Sequence, residues 1–295
     1  MEKEIIQVLK YFKYFKYSPN FDEVYAFIKT KTSKERLDIV LKNLVKKGVI
    51  ASKKIDYSII KKITGVNTEY RYTLGEYSIK TKNLLEKIKY SIEKIQKVEN
   101  YINLLSFFPQ IQLIGLSGTV SMSNASEKDD IDLFIITAKN RLWTARMICL
   151  YLAILFGLRR KRNTKSAQDK VCLNLFFDKS NLRVPKNKQT DYVAHEVLQM
   201  KPLINKNLTY EQFLEKNNWV FNIFPNTKPM SLKHKLLNNK LPRPVSLVFD
   251  WIEVMLKKLQ LALVNQHRTN EIITDDQLWF FPEDFEKKIL TNNRL

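Results

Sequence analysis

Two aspartates separated by one apolar residue are the pair in this sequence best placed to do chemistry. Asp130 and Asp132 flank Ile131 at the start of an apolar segment that continues to Thr137. Side chains two apart on a β-strand point to the same face, so a strand here would bring both carboxylates to one point. Adjacent carboxylates repel each other unless a cation neutralises them, and Mg²⁺ prefers such oxygen ligands. The pair therefore predicts a magnesium site.

A glycine turn upstream of the aspartates supplies a candidate phosphate-binding loop. Apolar residues 111–116 predict a strand, and Ser117, Gly118 and Thr119 follow it directly. Glycine permits close approach of the backbone to a phosphate, and the Thr119 hydroxyl can donate to phosphate oxygens. Phosphoryl or nucleotidyl transfer from a nucleoside triphosphate needs both features, which are donors for the phosphates and carboxylates for a divalent metal.

The strand, the turn, the spacing and the paired aspartates together resemble the signature of nucleotidyltransferases of the DNA polymerase β superfamily. The matching segments are Leu116-Ser117-Gly118-Thr119 and Asp130-Ile131-Asp132-Leu133, with ten residues between them. This resemblance implies that Ser117, Gly118 and Thr119 cradle the triphosphate of ATP or another nucleoside triphosphate. It also implies that Asp130 and Asp132 bind Mg²⁺. The whole arrangement looks similar to uncharacterised bacterial members with an N-terminal winged helix.

The family pattern also implies a third carboxylate on a neighbouring strand, where it helps to activate the attacking hydroxyl. The strand predicted at 171–178 carries Asn174 where that acid is expected, so the candidate catalytic set is Asp130, Asp132 and Asn174. Asparagine can ligate a metal through its carbonyl oxygen but does not act as a base. Three interpretations stay open: catalysis with two carboxylates, substitution by Asp178 or Asp169, or nucleotide binding without turnover.

A basic cluster follows the segment predicted to be a buried helix. Residues 159–162, together with Lys165 and Lys170, could contact a triphosphate or an RNA backbone. Lys170 is the member taken as a candidate nucleotide-binding residue. A solvated helix end explains such a cluster equally well.

The charge distribution favours a polyanionic partner. The formal net charge is +20, and basic residues outnumber acidic ones by 22 to 12 in residues 1–100 and by 18 to 7 in residues 151–250. Residues 101–150 carry 4 of each, so positive charge flanks a neutral centre. RNA or DNA is therefore the expected partner, although a lysine-rich composition from AT-rich coding would give the same excess. A protein partner also stays possible.

Two cysteines and the hydropathy pattern indicate a cytoplasmic protein. Cys149 and Cys172 show no spacing of a metal site or a disulfide framework, so both are expected to be small core residues. The most apolar run, residues 142–158, is interrupted by Arg146 and is shorter than the ~20 residues that span a bilayer. We expect a buried helix there and no contact with a membrane.

The predicted fold class is α+β, in four segments. Residues 1–76 have the pattern of a winged helix-turn-helix, in which the third helix presents Lys34, Arg36, Lys42 or Lys46. A connecting helix (77–107), a nucleotidyltransferase-like α/β sheet (108–190) and a helical C-terminal domain (191–295) follow. Docking of a protein is the alternative role for the first segment.

These features predict an enzyme that transfers a nucleotidyl group to a nucleic-acid acceptor, such as a tRNA. Two alternatives remain. In one, the winged helix binds DNA and the central domain is a degenerate nucleotide sensor. In the other, the acceptor is a protein, as in toxin–antitoxin systems that use small members of the superfamily.

Overall fold

The structure is a computed structural model that describes residues 1–57, 68–75, 80–160, 167–227, 246–265 and 271–280. The helices are α1 (Glu2–Tyr14), α2 (Phe21–Phe27), α3 (Lys34–Lys46), α4 (Thr81–Ser106), α5 (Gly118–Ser121), α6 (Leu142–Leu155), α7 (Asp191–Gln199), α8 (Thr209–Lys216), α9 (Trp219–Ile223) and α10 (Ser246–Asn265). The strands are β1 (Ile50–Asp56), β2 (Thr68–Leu74), β3 (Ile111–Leu116), β4 (Ile131–Thr137), β5 (Val171–Asp178), β6 (Lys201–Asn205), β7 (Ile272–Ile273) and β8 (Gln277–Trp279). The predicted α+β class is confirmed.

In its described residues, the N-terminal segment contains three helices and an antiparallel pair of strands. Asn20 begins α2 with a reciprocal capping box, in which its side chain accepts from Glu23 N–H and the Glu23 carboxylate accepts from Asn20 N–H. The Ser33 hydroxyl caps α3 by accepting a hydrogen bond from Arg36 N–H. Strands β1 and β2 pair antiparallel, and buried Arg71 on β2 joins them to the helices.

The larger sheet has six strands in the order β6-β3-β4-β5-β8-β7. Strands β4 and β5 are parallel, and every other neighbouring pair is antiparallel. β3 is buried along its whole length and β4 along almost all of it, which accounts for their continuous apolar sequences. The sheet therefore holds the start of β4 in a fixed position at its centre.

The prediction of a purely helical chain after Asp191 is wrong. β6 pairs with β3 on one side of the sheet, and β8 pairs with β5 on the other. These strands are only three to five residues long, and Pro202 lies in β6, so they leave no alternating pattern to recognise. They form because β3 and β5 would otherwise leave unpaired backbone groups at the edges of an apolar sheet.

Each face of this sheet is covered by its own apolar cluster. One cluster joins Phe134 and Phe177 to α7, α8 and the N-terminal helices α1–α3. The other joins Leu133 and Phe176 to α4 and α6. The N-terminal segment therefore shares a continuous apolar core with one face of the sheet.

Helix α6, the most apolar segment of the sequence, packs against α10, but Tyr151, Ile154 and Leu155 are exposed, so the helix expected to be buried is only partly buried. The Arg146 guanidinium donates to Gln260 Oε1 at 2.5 Å and lies over the Phe280 ring. Among the residues that the structure describes, no helix combines the length and the apolar character that crossing a bilayer requires.

Candidate functional site

The two aspartates lie where three segments of backbone meet. Ile131 N–H donates to Lys170 O at 2.8 Å, and Ser117 N–H donates to the Asp132 carbonyl at 3.0 Å. The first bond ties the start of β4 to the segment before β5, and the second ties it to the turn after β3. Asp130 and Asp132 are therefore positioned by the sheet.

Gly118 packs directly against the Asp132 carboxylate. Its φ of +64° lies in the left-handed region, and a Cβ at this position would come within 2.5 Å of Asp132 Oδ2. Both the backbone conformation and the available space therefore require glycine. The structure thus brings together the turn and the carboxylate that the sequence pattern associates.

The residue beside Asp132 on the neighbouring strand is Cys172, two positions before Asn174. In the parallel pairing of β4 with β5, Asp132 aligns with Cys172. The register then shifts, so that Leu175 aligns with Phe134 and Asn174 lies within the irregularity. Potential ligand atoms of Asp130, Asp132 and Cys172 all lie within 4.8 Å of one another. The cluster therefore contains a thiol next to two carboxylates.

A guanidinium group lies at the edge of this cluster. Arg160 Nη1 is 2.8 Å from Asp130 Oδ2 and 3.8 Å from Cys172 Sγ. The Arg160 side chain is 48% exposed, so it reaches the cluster from the solvent side. It supplies one positive charge to a site that carries two carboxylates.

A third acidic side chain, Glu196 on α7, approaches the turn from the other side. The Glu196 carboxyl group lies close enough to the Gly118 N–H for that amide to lower its pKa. Burial raises the pKa of Glu196 to about 7, and the bonds from Gly118 and Tyr192 oppose that rise. Its charge also acts on Asp132. The amide expected to meet a phosphate therefore already faces a carboxyl group.

Burial and like charge make ionisation within the cluster unfavourable. Burial is the largest cause that raises the pKa of Asp132, and the Asp130 charge raises it further. Burial also raises the pKa of the Cys172 thiol, followed by the charges of Asp132 and Asp130. A bound cation would reverse both effects because it stabilises the deprotonated forms.

The hydroxyl groups of the turn are used to hold the loop together. Thr119 Oγ1 donates to Asp129 Oδ2 at 2.9 Å, and Ser126 N–H donates to the same oxygen at 2.9 Å. Ser117 Oγ makes a longer bond of 3.4 Å to the Asp132 carbonyl. The predicted phosphate ligand Thr119 thus faces Asp129, the residue next to the candidate metal ligand Asp130.

The buried Lys94 side chain of α4 also holds this loop in place through hydrogen bonds. Its ammonium donates to the carbonyls of Glu127 and Asp129 at 2.9 and 2.8 Å, and to Asp169 Oδ1 at 2.7 Å. These three bonds satisfy its three donors. The loop that delivers Asp130 is therefore anchored to the long helix.

The remaining sequence candidates lie in other environments. Lys170 Nζ donates to the Gly157 carbonyl at 2.6 Å. Asp169 is paired with Lys94 and Lys97. Asp178 is buried at the opposite end of β5, where it accepts from Ser180 N–H and Oγ at 2.8 and 2.6 Å. Neither acid belongs to the cluster of ligand atoms around Asp132.

Sequence reasoning missed Cys172 and Glu196 as members of the site. Recognising Cys172 required the register between β4 and β5, and a register shift is not visible in a sequence. Glu196 lies on a helix that is distant in the chain and carries no motif. Arg160 was signalled in part, because it belongs to the basic cluster at 159–162.

Comparisons of this chain with protein-family models, curated proteins and solved structures give no match. The chemistry of the site is therefore inferred from its own side chains. Two carboxylates and a thiol at a glycine turn, with one guanidinium at the edge, can hold a divalent cation and a polyanion bound to it.

Proposed function

We propose that this protein is a nucleotidyltransferase of the DNA polymerase β type, which transfers a nucleotidyl group from a nucleoside triphosphate to a nucleic-acid acceptor. The observation that carries the proposal is the packing of left-handed Gly118 against the Asp132 carboxylate, with Asp130 two residues before it. This packing places a glycine turn and a pair of aspartates at one point, as the family resemblance implies.

Each part of the site has a role in such a reaction. The oxygen atoms of Asp130 and Asp132 fit a divalent cation, which when bound would neutralise the triphosphate and the departing pyrophosphate. Arg160 is close enough to the cluster to contact a phosphate oxygen. The Gly118 amide would reach a phosphate only after Glu196 moves away, so nucleotide binding requires a local rearrangement of α7 or of that side chain.

The N-terminal segment supplies a surface for the acceptor. The order of helices α1–α3 and the antiparallel pairing of β1 with β2 support the assignment of a winged helix-turn-helix. Arg36, Lys42 and Lys46 are exposed on α3, where a nucleic-acid backbone could contact them. The net charge of +20 favours the same class of acceptor.

Incorporation of label tests this proposal. The protein is incubated with labelled nucleoside triphosphates, Mg²⁺ or Mn²⁺, and total RNA. We expect label in RNA with the wild type, and at least a hundredfold less with Asp130→Ala combined with Asp132→Ala. The matched control is Glu86→Ala with Glu99→Ala, which removes two exposed acids of α4. Label in neither RNA nor protein, or label that survives the aspartate changes, contradicts the proposal.

A second candidate function is a DNA-binding regulator whose central domain senses a nucleotide. Two observations favour it: Gly118 N–H and the Thr119 hydroxyl both have internal carboxylate partners, and Cys172 rather than an acid lies beside Asp132. A gel shift on duplex DNA, with and without ATP, distinguishes this function. Duplex binding that ATP changes, without any incorporation of label, supports the regulator.

A further inference from the structure

The donor set of the candidate site differs from that of a magnesium site. Cys172 Sγ lies within 4.8 Å of ligand oxygens of both Asp130 and Asp132. Mg²⁺ takes oxygen ligands, whereas thiolates select Zn²⁺ and other thiophilic ions. A magnesium ion would use only the two aspartates and would leave the thiol without a role as a metal ligand.

The two cysteines of the chain have different surroundings. Cys149 lies on α6, is completely buried and belongs to the apolar cluster that α4 and α6 form with the sheet. Cys172 is 4% exposed, yet it belongs to neither large apolar cluster and lies against two carboxylates and a guanidinium. The ordinary role of a buried cysteine, which is apolar packing, therefore describes Cys149 and not Cys172.

The separation of the ligand atoms suits a small thiophilic ion. Zinc bonds of about 2.0–2.3 Å in tetrahedral geometry place neighbouring donors about 3.3–3.8 Å apart. Donors that already lie within 4.8 Å of one another reach this spacing with small side-chain rotations. Three protein ligands leave a fourth position open, as catalytic zinc sites do for water or substrate.

The position of Arg160 is a separate indication that the cluster takes a cation. Its guanidinium contacts both a carboxylate oxygen and the sulfur, so a positive charge already lies against two of the three donors. The Arg160 side chain is half exposed and can withdraw toward solvent when an ion enters.

We propose that Asp130, Asp132 and Cys172 bind a thiophilic divalent cation of the zinc class. In the metal-free protein, the Arg160 guanidinium takes the place of this cation. The inference rests on the proposed function, because it names the metal of the same site. Binding converts the Cys172 thiol to a thiolate and releases one proton to solvent. The preference for zinc over magnesium then follows from a single side chain on β5.

Cobalt absorption tests the proposal on the full chain. The protein is first treated with a chelator and then titrated with Co²⁺ alone, whose bond to a thiolate gives a charge-transfer band in the near ultraviolet. We expect the band in the wild type and in Cys149→Ala, its absence in Cys172→Ser, and its displacement by Zn²⁺. No band in the wild type, or a band that persists in Cys172→Ser, overturns the proposal.

A second pair of variants covers the case in which Cys172→Ser fails to fold. Arg160→Gln removes the competing charge and should tighten Co²⁺ binding at least threefold, whereas Arg159→Gln, the neighbouring exposed arginine, should leave it unchanged. Equal affinities in the two variants contradict the role of Arg160 and the placement of the ion.

The result is distinguishable from a failure of the proposed function. Transfer of label with Mg²⁺ in a protein that gives no cobalt band rejects the thiophilic site and keeps the transferase. A cobalt band that depends on Cys172, in a protein that transfers no label, keeps the metal site and rejects the transferase.

Discussion

Two clusters of buried charge in this molecule are built differently. In the N-terminal segment, the Arg71 guanidinium pairs with the carboxylates of Glu23 and Glu69. Tyr17 and Tyr57 donate their hydroxyls to the same two carboxylates. At the candidate site, Asp130 and Asp132 lie beside a thiol and receive one guanidinium from the solvent side.

The two clusters also differ in whether the protein stabilises the charged form of the buried group, as the directions of the pKa shifts indicate. The pKa of Arg71 is raised because the surrounding tyrosines and carboxylates outweigh the cost of its burial, so its charged form is stabilised. The pKa of Asp132 is also raised, but for an acid this means that burial and Asp130 disfavour the charged form. The first cluster neutralises its charges internally, whereas the second keeps an acid whose charged form is disfavoured.

The largest expected effect concerns the complete cluster. Arg71→Met removes the guanidinium that neutralises two partly buried carboxylates there, and should lower the free energy of unfolding by about 3–5 kcal/mol. Urea denaturation measures the change. Lys54→Met on the adjacent strand, where the side chain is exposed, is the control and should change stability by less than about 0.5 kcal/mol. Similar effects in both variants would show that Arg71 is not structural.

The next effect concerns the helix that lies between the two regions. The His195 ring on α7 stacks between Tyr11 and Phe27, with centroid distances of 3.7 and 4.3 Å, while its neighbour Glu196 faces Gly118. Burial lowers the pKa of His195 from 6.5 to about 4. Folding therefore disfavours the protonated ring. The neutral His195 ring contributes fully to stability above pH 6.5, and this contribution is lost as the pH falls toward 4.

This pH dependence amounts to about 3 kcal/mol at most, at roughly 1.4 kcal/mol for each unit of pKa. Unfolding free energies of the wild type and His195→Gln are measured from pH 7.5 to 4. We expect the wild type to lose more stability than the variant across this interval. Parallel curves would show that His195 titrates normally.

A smaller expected loss of stability distinguishes two costs of replacing Gly118, which are backbone strain at positive φ and steric contact with Asp132. Gly118→Ala and Gly48→Ala both place alanine in the left-handed region, at φ of +64° and +70°, and each should cost about 1–2 kcal/mol. Only the alanine at position 118 meets a neighbour, because the space around Gly48 is open within 4 Å. We expect the Gly118 variant to be less stable by about a further 1 kcal/mol. Equal losses of stability in the two variants would show that Asp132 does not contact the turn.

The smallest effect has the opposite sign. Asp132→Asn removes a carboxylate whose charge is disfavoured, so in the absence of metal it should leave stability unchanged or raise it by about 1 kcal/mol. Denaturation in the presence of a chelator measures the change. A loss of stability of more than about 2 kcal/mol would show instead that the Asp132 charge stabilises the fold, as the Arg71 charge does.

The sequence predicted the parts of the molecule that depend on local pattern. Strands β3, β4 and β5 and the long helix α4 follow from hydrophobic periodicity, and the proximity of Gly118 to Asp132 was implied by the family resemblance. Strands β6 and β8 did not, because segments of three to five residues become strands only when an apolar edge pairs with them.

The site itself was predicted in part for the same reason. Asp130 and Asp132 lie on one strand, so their convergence needs only the alternation of side chains. The place of Cys172 depends on the register between two strands, and Asn174 falls within the irregularity that changes this register. Glu196 reaches Gly118 through the packing of α7, which no local signal encodes.

The most direct test of the cation and nucleotide site is the stabilisation that a ligand gives. Unfolding free energies of the wild type and Asp132→Asn are measured with and without ATP and Mn²⁺. At ligand concentrations about one hundred times Kd, the wild type should gain about 2.7 kcal/mol. The variant should gain much less at the same concentrations. An equal gain in both proteins, or none in the wild type at any concentration, would contradict the assignment of Asp132 to the site.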